Sequence, residues 1–398
     1  MAYYFLFPQA DTTLYSQPDR YELNTGNDEI LELVKERGTT NNLLYPSRIL
    51  IKFKNEEIQN LITDTINTGS TDIFSNGTSS VSLQLFSAEP KNLLNTLNVN
   101  VYAVSHSWDE GSGRWSNLPT SSNGASWRYR NNTTIKTEWA TSSFGPGSGE
   151  TGQTGTGSIL NPLLTKGGGT WYTGSGFTST QQFLSGDTLD TNFNVTDIVK
   201  KWSASICVSQ THPIGIINHG FLIKKPNGIE NNTTSSFGEL QYFSTDTHTI
   251  YPPKLCFKWD DSKYPHKYTA SALWDTGNGL SVSLYNTKEE YNQNDIAQFR
   301  IHVREKYPTR QFVTSSNYVN VKYFTTSSYY SIRDAHTEEE IIPFDDTFTK
   351  LSADDKGMYF KLYMKGLQPE RYYRVLFKNK SNNSTTIYDD NYYFKVIR

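Results

Sequence analysis

The sequence predicts a mainly β protein built from two sandwich domains. Short runs of alternating polar and apolar residues, bounded by Gly, Asn, Asp and Ser, recur along the chain, as in a β-sandwich or barrel. Helical patterns are few. The apolar content is only 35%, but 26 Tyr, 21 Phe and 8 Trp dominate it. Each ring buries a large area, so such a chain can build a core, and it is too aromatic for a disordered one. At about 100–200 residues per domain, 398 residues correspond to two or three domains.

Taken in order, residues 27–34 open on acids and read as either helix or strand. Residues 47–53 (Ser-Arg-Ile-Leu-Ile-Lys-Phe) form a more continuous apolar run, the pattern of a strand buried on both faces. Residues 55–67 carry Ile58, Leu61, Ile62 and Ile66 at helical spacing behind Glu56 and Glu57, a helix with acids in its first turn. Residues 80–86 and 98–104 alternate as half-buried strands. Residues 145–176 are almost wholly Gly, Ser and Thr, interrupted by Ile159-Leu-Asn-Pro-Leu-Leu164. They read as a long surface loop with one apolar tether, a kind of loop usually tied to function or a partner. Residues 196–202 read as a short helix capped by Thr196 or Asn194 and anchored by Ile198, Val199 and Trp202.

A strand at 254–259 ends in the polar, Pro-containing stretch 259–266, the best domain boundary; the domains are expected at 1–262 and 263–398. Beyond it the Gly runs vanish. Tyr-rich strands follow at 279–285, 297–303, 318–323, 358–363, 372–377 and 391–396, enough for one immunoglobulin-like sandwich. Gly366-Leu-Gln-Pro-Glu-Arg-Tyr372 has the pattern of a tyrosine corner, in which a Tyr early in the next strand bonds back to the backbone.

Composition excludes several classes. With 37 Lys+Arg against 40 Asp+Glu, the chain lacks the basic excess that drives nucleic-acid binding. No apolar run approaches the ~20 residues of a membrane helix. The opening Met-Ala-Tyr-Tyr-Phe-Leu-Phe-Pro has no basic n-region, so no export signal and a cytoplasmic maturation are expected. Sequons such as those at Asn76, Asn194 and Asn383 then have no glycosylation meaning. Cys207 and Cys256 read as separated reduced core thiols, one bridge being the alternative.

Catalytic signals are weak. The seven His lack the i, i+4 spacing of a metalloprotease, no Cys-x-x-Cys is present, and there is no Gly-x-Ser-x-Gly elbow. Cys207 with His212 is the one Cys–His pair close in sequence. Gly167-Gly-Gly169 lacks the Gly-Lys-Ser/Thr of a phosphate loop. The carboxylate doublets Asp109/Glu110, Asp260/Asp261, Asp345/Asp346, Asp354/Asp355 and Asp389/Asp390 point to opposite faces if on strands, so they are not glycosidase pairs by themselves. They read as turns and caps, with structural calcium the milder alternative; no other cofactor is expected. The tryptophans say more. Trp108, Trp115, Trp127, Trp139 and Trp171 fall within one stretch of the chain. Such rings, when exposed, stack on sugars or anchor protein interfaces, and otherwise they pin loops to a core.

Here the chain resembles a known module. Asp11-Thr-Thr-Leu-Tyr15, Trp108-Asp-Glu-Gly-x-Gly-x-Trp115, Gly124-Ala-Ser-Trp127, Phe193-Asn-Val-Thr-Asp-Ile-Val-Lys-Lys-Trp202, His219-Gly-Phe-Leu-Ile-Lys224 and Pro253-Lys-Leu-Cys-Phe-Lys-Trp259 follow one another as in the DNRLRE-type domain. That domain is a jelly-roll sandwich like a carbohydrate-binding module, and the resemblance covers about residues 1–260. The insertions at 39–77 and 145–176 depart from its pattern. The whole chain, including Val303-Arg-Glu-Lys-Tyr-Pro-Thr-Arg310, is similar to virion structural proteins of marine tailed bacteriophages. The resemblance implies a jelly-roll followed by an immunoglobulin-like sandwich in a non-enzymatic component of a tail, neck or baseplate. Its partners would be other virion proteins and copies of itself, and its contacts are expected at Trp108, Trp115, Trp127, Trp139, Trp171 and the loop tether Leu160, Leu163 and Leu164. The alternative is a carbohydrate-binding module that holds a host-surface glycan; a glycan-cleaving enzyme is a third reading, with no residue spacing behind it.

Overall fold

A computed structural model describes residues 2–38, 43–67, 73–74, 78–115, 123–133, 135–139, 167–206, 215–230, 232, 238–273, 279–307, 321–380 and 384–398. Leu160, Leu163, Leu164, Cys207, His212, residues 318–320 and the Ile66 side chain lie outside the described residues. The chain is mainly β, in several antiparallel sheets, and divides into two compact units. One comprises Leu6–Asp64 and Ser80–Cys256, the other Met1–Phe5, Thr65–Ser79 and Phe257–Arg398.

In the first unit a six-stranded sheet runs in the order Thr178–Leu184, Thr96–Ala103, Phe221–Lys224, Leu44–Lys52, Ala10–Tyr15, with Lys35–Arg37 also paired to Leu44–Lys52. Leu44–Lys52 is buried at every position but its last, so the continuous apolar run did signal a strand covered on both sides. Register assigns the faces. Ile49 pairs with Ile223 and Ile51 with Phe221; Ile223 continues to Val101 and Phe221 to Ala103. Leu50, Leu222 and Leu14 take the opposite face, where they join Trp108, Trp127, Trp139 and Trp171 in a buried cluster. The segment at 27–34 resolves as strand, Ile30–Leu33 pairing with Leu240–Phe243.

Both expected helices form. Asn55–Asn67 buries Ile58, Leu61 and Ile62. Thr196–Ile206 buries Ile198, Val199 and Trp202. At its start the Thr196 N–H donates to Asn194 Oδ1 at 3.2 Å, which satisfies one of the donors a helix N-terminus leaves unpaired.

The second unit is two sheets face to face. One is Leu280–Tyr285, Ile296–Glu305, Gly357–Tyr363, Ser352–Asp354. The other is Glu290–Asn292, Thr385–Ile397, Tyr372–Lys380, Ser328–Asp334, Glu340–Ile342. Rings fill the space between: Phe299 stacks on Phe360 at 5.1 Å, and Phe360 on Tyr330 at 4.2 Å. The tyrosine corner falls on Tyr373, whose hydroxyl donates to the Gln368 carbonyl at 2.8 Å. Tyr372, the last residue of the motif read from sequence, points the other way and is 46% exposed. Successive strand residues alternate faces, so one position decides between anchor and surface. The Asp354–Gly357 turn closes a hairpin, and Asp354 receives a bidentate pair from Arg300.

Candidate functional site

Trp108, Trp127, Trp139 and Trp171 are each 1–4% exposed. They were expected as contact residues, with core packing the alternative; these four indoles are buried in the core instead, packed against apolar side chains of the sheet. The outer face of the six-stranded sheet carries Leu14, Leu50 and Leu222, which water would penalise, and Gly-rich loops bring the indoles onto it. Buried indole N–H groups need acceptors. Trp108 Nε1 donates to the His219 carbonyl and Trp139 Nε1 to that of Ser126, both at 2.8 Å.

The end of the Gly-rich loop threads beside Trp127. Gly167, Gly168 and Gly169 all have positive φ, a region open to glycine at little cost. A Cβ on Gly168 would lie 2.5 Å from Arg48 Nη1 and 2.7 Å from Trp127 Cζ2. Arg48 sits under this loop, 4.5 Å from the Trp127 ring centre and 5.2 Å from that of Trp171, and donates to the Gly168 carbonyl at 2.7 Å. Its remaining donors form a bidentate pair with Glu230 at 3.2 and 2.8 Å. Lys224 completes the network, 2.7 Å from Glu230 and 2.6 Å from Asn227 Oδ1. All three ionised groups are at most 2% exposed. Burial would raise the Glu230 carboxyl, but Arg48 and Lys224 hold it below its ordinary value. Burial pulls Lys224 down to about 8 against the attraction of Glu230. Sequence reasoning missed this network, because Arg48 lies inside an apolar strand and Glu230 ends a one-turn helix, Asn227–Glu230, in a polar stretch with no helical pattern of its own.

Trp115 is the one indole of the five that borders open space. It lines a cleft of about 510 Å³ with Arg20, Glu32, Glu36, Arg37, Glu239 and Gln241, and an adjoining one of about 330 Å³ with Tyr15, Asp28 and Arg114. Asp28 holds the indole in place by accepting the Trp115 backbone N–H at 2.8 and 3.0 Å. Tyr15 stacks on the ring at 4.3 Å, and the Arg20 guanidinium lies 2.9 Å from the ring centre. Two groups that close cannot share one face without overlapping, so both faces of Trp115 are covered. Glu32 forms the floor, accepting from the Tyr15 hydroxyl at 2.6 Å and from Gln241 Nε2 at 2.7 Å. The cleft therefore offers hydrogen-bonding edges and balanced charge, with no bare aromatic platform. Among the described residues, no three His, Cys, Asp or Glu gather as a metal-ligand set.

Burial pushes the Glu36 carboxyl up to about 7, helped by Glu32 and Glu239 and opposed by Arg20. Burial likewise pushes Asp28 up to about 6. Between the ordinary carboxylate value and about 7, the folded state binds more protons than the unfolded one, so these groups make stability fall as pH rises through that window. Glu36→Gln should flatten the decline and stabilise the protein at pH 8 by about 1–2 kcal/mol, after allowance for solvent screening. Urea unfolding at pH 5 and pH 8 checks this; equal pH slopes in the variant and the parent would count against a buried Glu36 charge.

Cys256 is buried in the strand Lys254–Trp259. Compared with known proteins, the chain matches no family model, and no curated protein matches it.

Proposed function

We propose that this chain is a non-enzymatic structural protein of a tailed phage particle, a tail, neck or baseplate component that works by docking to other virion proteins or to copies of itself. The finer fold in this proposal is a jelly-roll sandwich at 1–262 followed by an immunoglobulin-like sandwich at 263–398, and the working location is the virion, after assembly in the host cytoplasm. The ordered motifs of the first 260 residues support it. The observation that carries docking is the outward face of the hairpin Tyr372–Lys380/Thr385–Ile397. Tyr372 pairs with Lys395 and Arg374 with Tyr393, which places these four side chains on one face, while Tyr373, Val375, Phe394 and Val396 are buried on the other. Tyr372 is 46%, Tyr393 41% and Ile387 56% exposed. Tyr and Arg on a rigid sheet face are the residues that dominate protein interfaces.

The double variant Tyr372→Ala, Tyr393→Ala should lower affinity for the particle by about 100-fold or more if both are interface anchors, with thermal unfolding unchanged because both are surface residues. Full incorporation of the variant into particles would refute this docking face.

The cleft beside Trp115 favours a second reading, recognition of a host-surface glycan. Its mixed carboxylate, guanidinium and amide edges suit a polyhydroxylated ligand held by hydrogen bonds. Binding to host polysaccharide that Glu239→Ala abolishes would promote it. Trp127→Ala does not serve as that test, since Trp127 is core.

A further inference from the structure

We propose that the strand Thr178–Leu184 pairs with the same strand of a second copy of this chain, joining two sheets into one across a twofold axis. The strand is one edge of the six-stranded sheet. It pairs with Thr96–Ala103 in antiparallel register, from Thr178 opposite Tyr102 to Leu184 opposite Thr96. Two bonds fix which way its backbone points. The Ala103 N–H donates to the Phe177 carbonyl at 3.1 Å, and the Ser185 N–H to that of Asn95 at 3.0 Å. The odd-numbered residues therefore bond to the neighbouring strand, and the N–H and C=O groups of Thr178, Thr180 and Gln182 point away from the sheet. Among the described residues, none bonds to these groups.

Other edges are closed by side chains. At the opposite edge of the same sheet, Glu110 Oε1 accepts the Asp11 N–H at 2.9 Å. Thr25 Oγ1 accepts the Thr13 N–H at 3.2 Å and donates to the Thr13 carbonyl at 2.8 Å. In the second unit, the edge strand Leu280–Tyr285 has its Leu284 N–H held by Asp390 at 2.8 Å. Proteins also blunt an edge with a charge, a Pro or a bulge. Thr178-Ser-Thr-Gln-Gln-Phe-Leu184 has no charged residue and no Pro, and its register is unbroken. Its Leu184 N–H is taken by Asp187 at 2.7 Å; the three residues before it on the outward side are left as a template for another strand.

The residues select a second copy as that strand. With the twofold at Thr180, Thr180 faces its own copy and Thr178 faces the partner's Gln182. All three side chains are exposed, so hydroxyls and amides meet with no like charges opposed. Leu184 faces the partner's Gly176, where no side chain stands in its way. The ends carry opposite charges. Lys201 lies beside Gly176, where an added Cβ would sit 3.0 Å from its Cε, and Asp187 closes the turn after Leu184. The twofold brings Lys201 toward the partner's Asp187. Three outward residues on each copy supply about six backbone hydrogen bonds. The contact is isologous, the form of a closed pair. It carries the proposed docking between copies onto a second surface and uses none of the residues of the Tyr372 face.

The test is sedimentation equilibrium of the full chain from about 1 to 100 μM, the range of a modest interface, with hydrogen–deuterium exchange of the strand. The parent should dimerise, and the Thr178, Thr180 and Gln182 amides should exchange at least about tenfold more slowly in the dimer. Thr180→Pro removes an outward N–H, which an edge strand tolerates, and Thr180→Lys sets like charges opposite each other on the twofold. Each should weaken the dimer at least about tenfold with Tm unchanged. If Thr180→Pro fails to fold, Thr180→Lys decides alone, because that side chain is exposed. The Tyr372→Ala, Tyr393→Ala variant should keep this dimer and lose only assembly beyond it. A parent that stays monomeric at about 100 μM overturns the proposal, even if its strand amides become protected on mixing with tail assemblies, which would make the added strand another protein's. So does a dimer of unchanged strength in Thr180→Lys.

Discussion

Glu230→Gln should lower stability by about 3–5 kcal/mol, the range for breaking a buried ion pair from one side. The cause is what stays behind. Arg48 keeps a guanidinium beside Trp127 and Trp171, and Lys224 keeps an ammonium that is 0% exposed; among the described residues, Glu230 is the carboxylate that both pair with. Lys224, already drawn down to about 8, would shed its proton more readily in the variant. The loss should therefore be smaller at pH 9 than at pH 7. The urea midpoint followed by tryptophan fluorescence reads the effect directly, since the affected rings sit against Arg48. A loss below about 1 kcal/mol, the value of an exposed pair, would mean that the network is solvated and the account of this core is wrong.

Trp127→Ala should cost about 3–5 kcal/mol, as for other large aromatic truncations in a core. Trp127 is among the largest fully buried side chains. It supports Arg48 from one side and the Gly167–Gly168 backbone from another. Trp127→Phe keeps a ring in the cage and should cost clearly less. If both variants unfold with the parent's midpoint in urea, the indole is not a structural element and a ligand-contact role returns.

These two predictions mark where the sequence was legible. Alternation placed most of the strands it read within a residue or two, because a half-buried strand writes its geometry directly into period two, but it left others, such as Ala2–Leu6, Thr178–Leu184 and Ser328–Asp334, unread. The run at 47–53 announced burial on both faces, and the structure shows why: one face meets Ile223 and Phe221, the other the tryptophan cage. The cage itself was visible only as a density of indoles in Gly-rich sequence. Composition alone does not say whether such loops stand out from a sheet or fold down onto it. The leucines at 14, 50 and 222 decide that, and they come together only through pairing of distant strands. The same limit hid Glu230, which reaches Arg48 across 182 positions of chain. The tyrosine corner was readable as a motif and missed by one residue as an assignment, since Tyr372 and Tyr373 differ only in which face of the sheet they take. That single step leaves Tyr372 outside, on the face proposed for docking.

Docking through that face is the function proposed for the chain. The most direct measurement is sedimentation of the purified chain, alone and mixed with tail assemblies, beside the Tyr372→Ala, Tyr393→Ala variant. The parent should co-sediment with the assemblies or close into a larger species of its own, and the variant should do neither while remaining folded. A parent chain that stays monomeric, ignores the assemblies and binds host cells instead would contradict it.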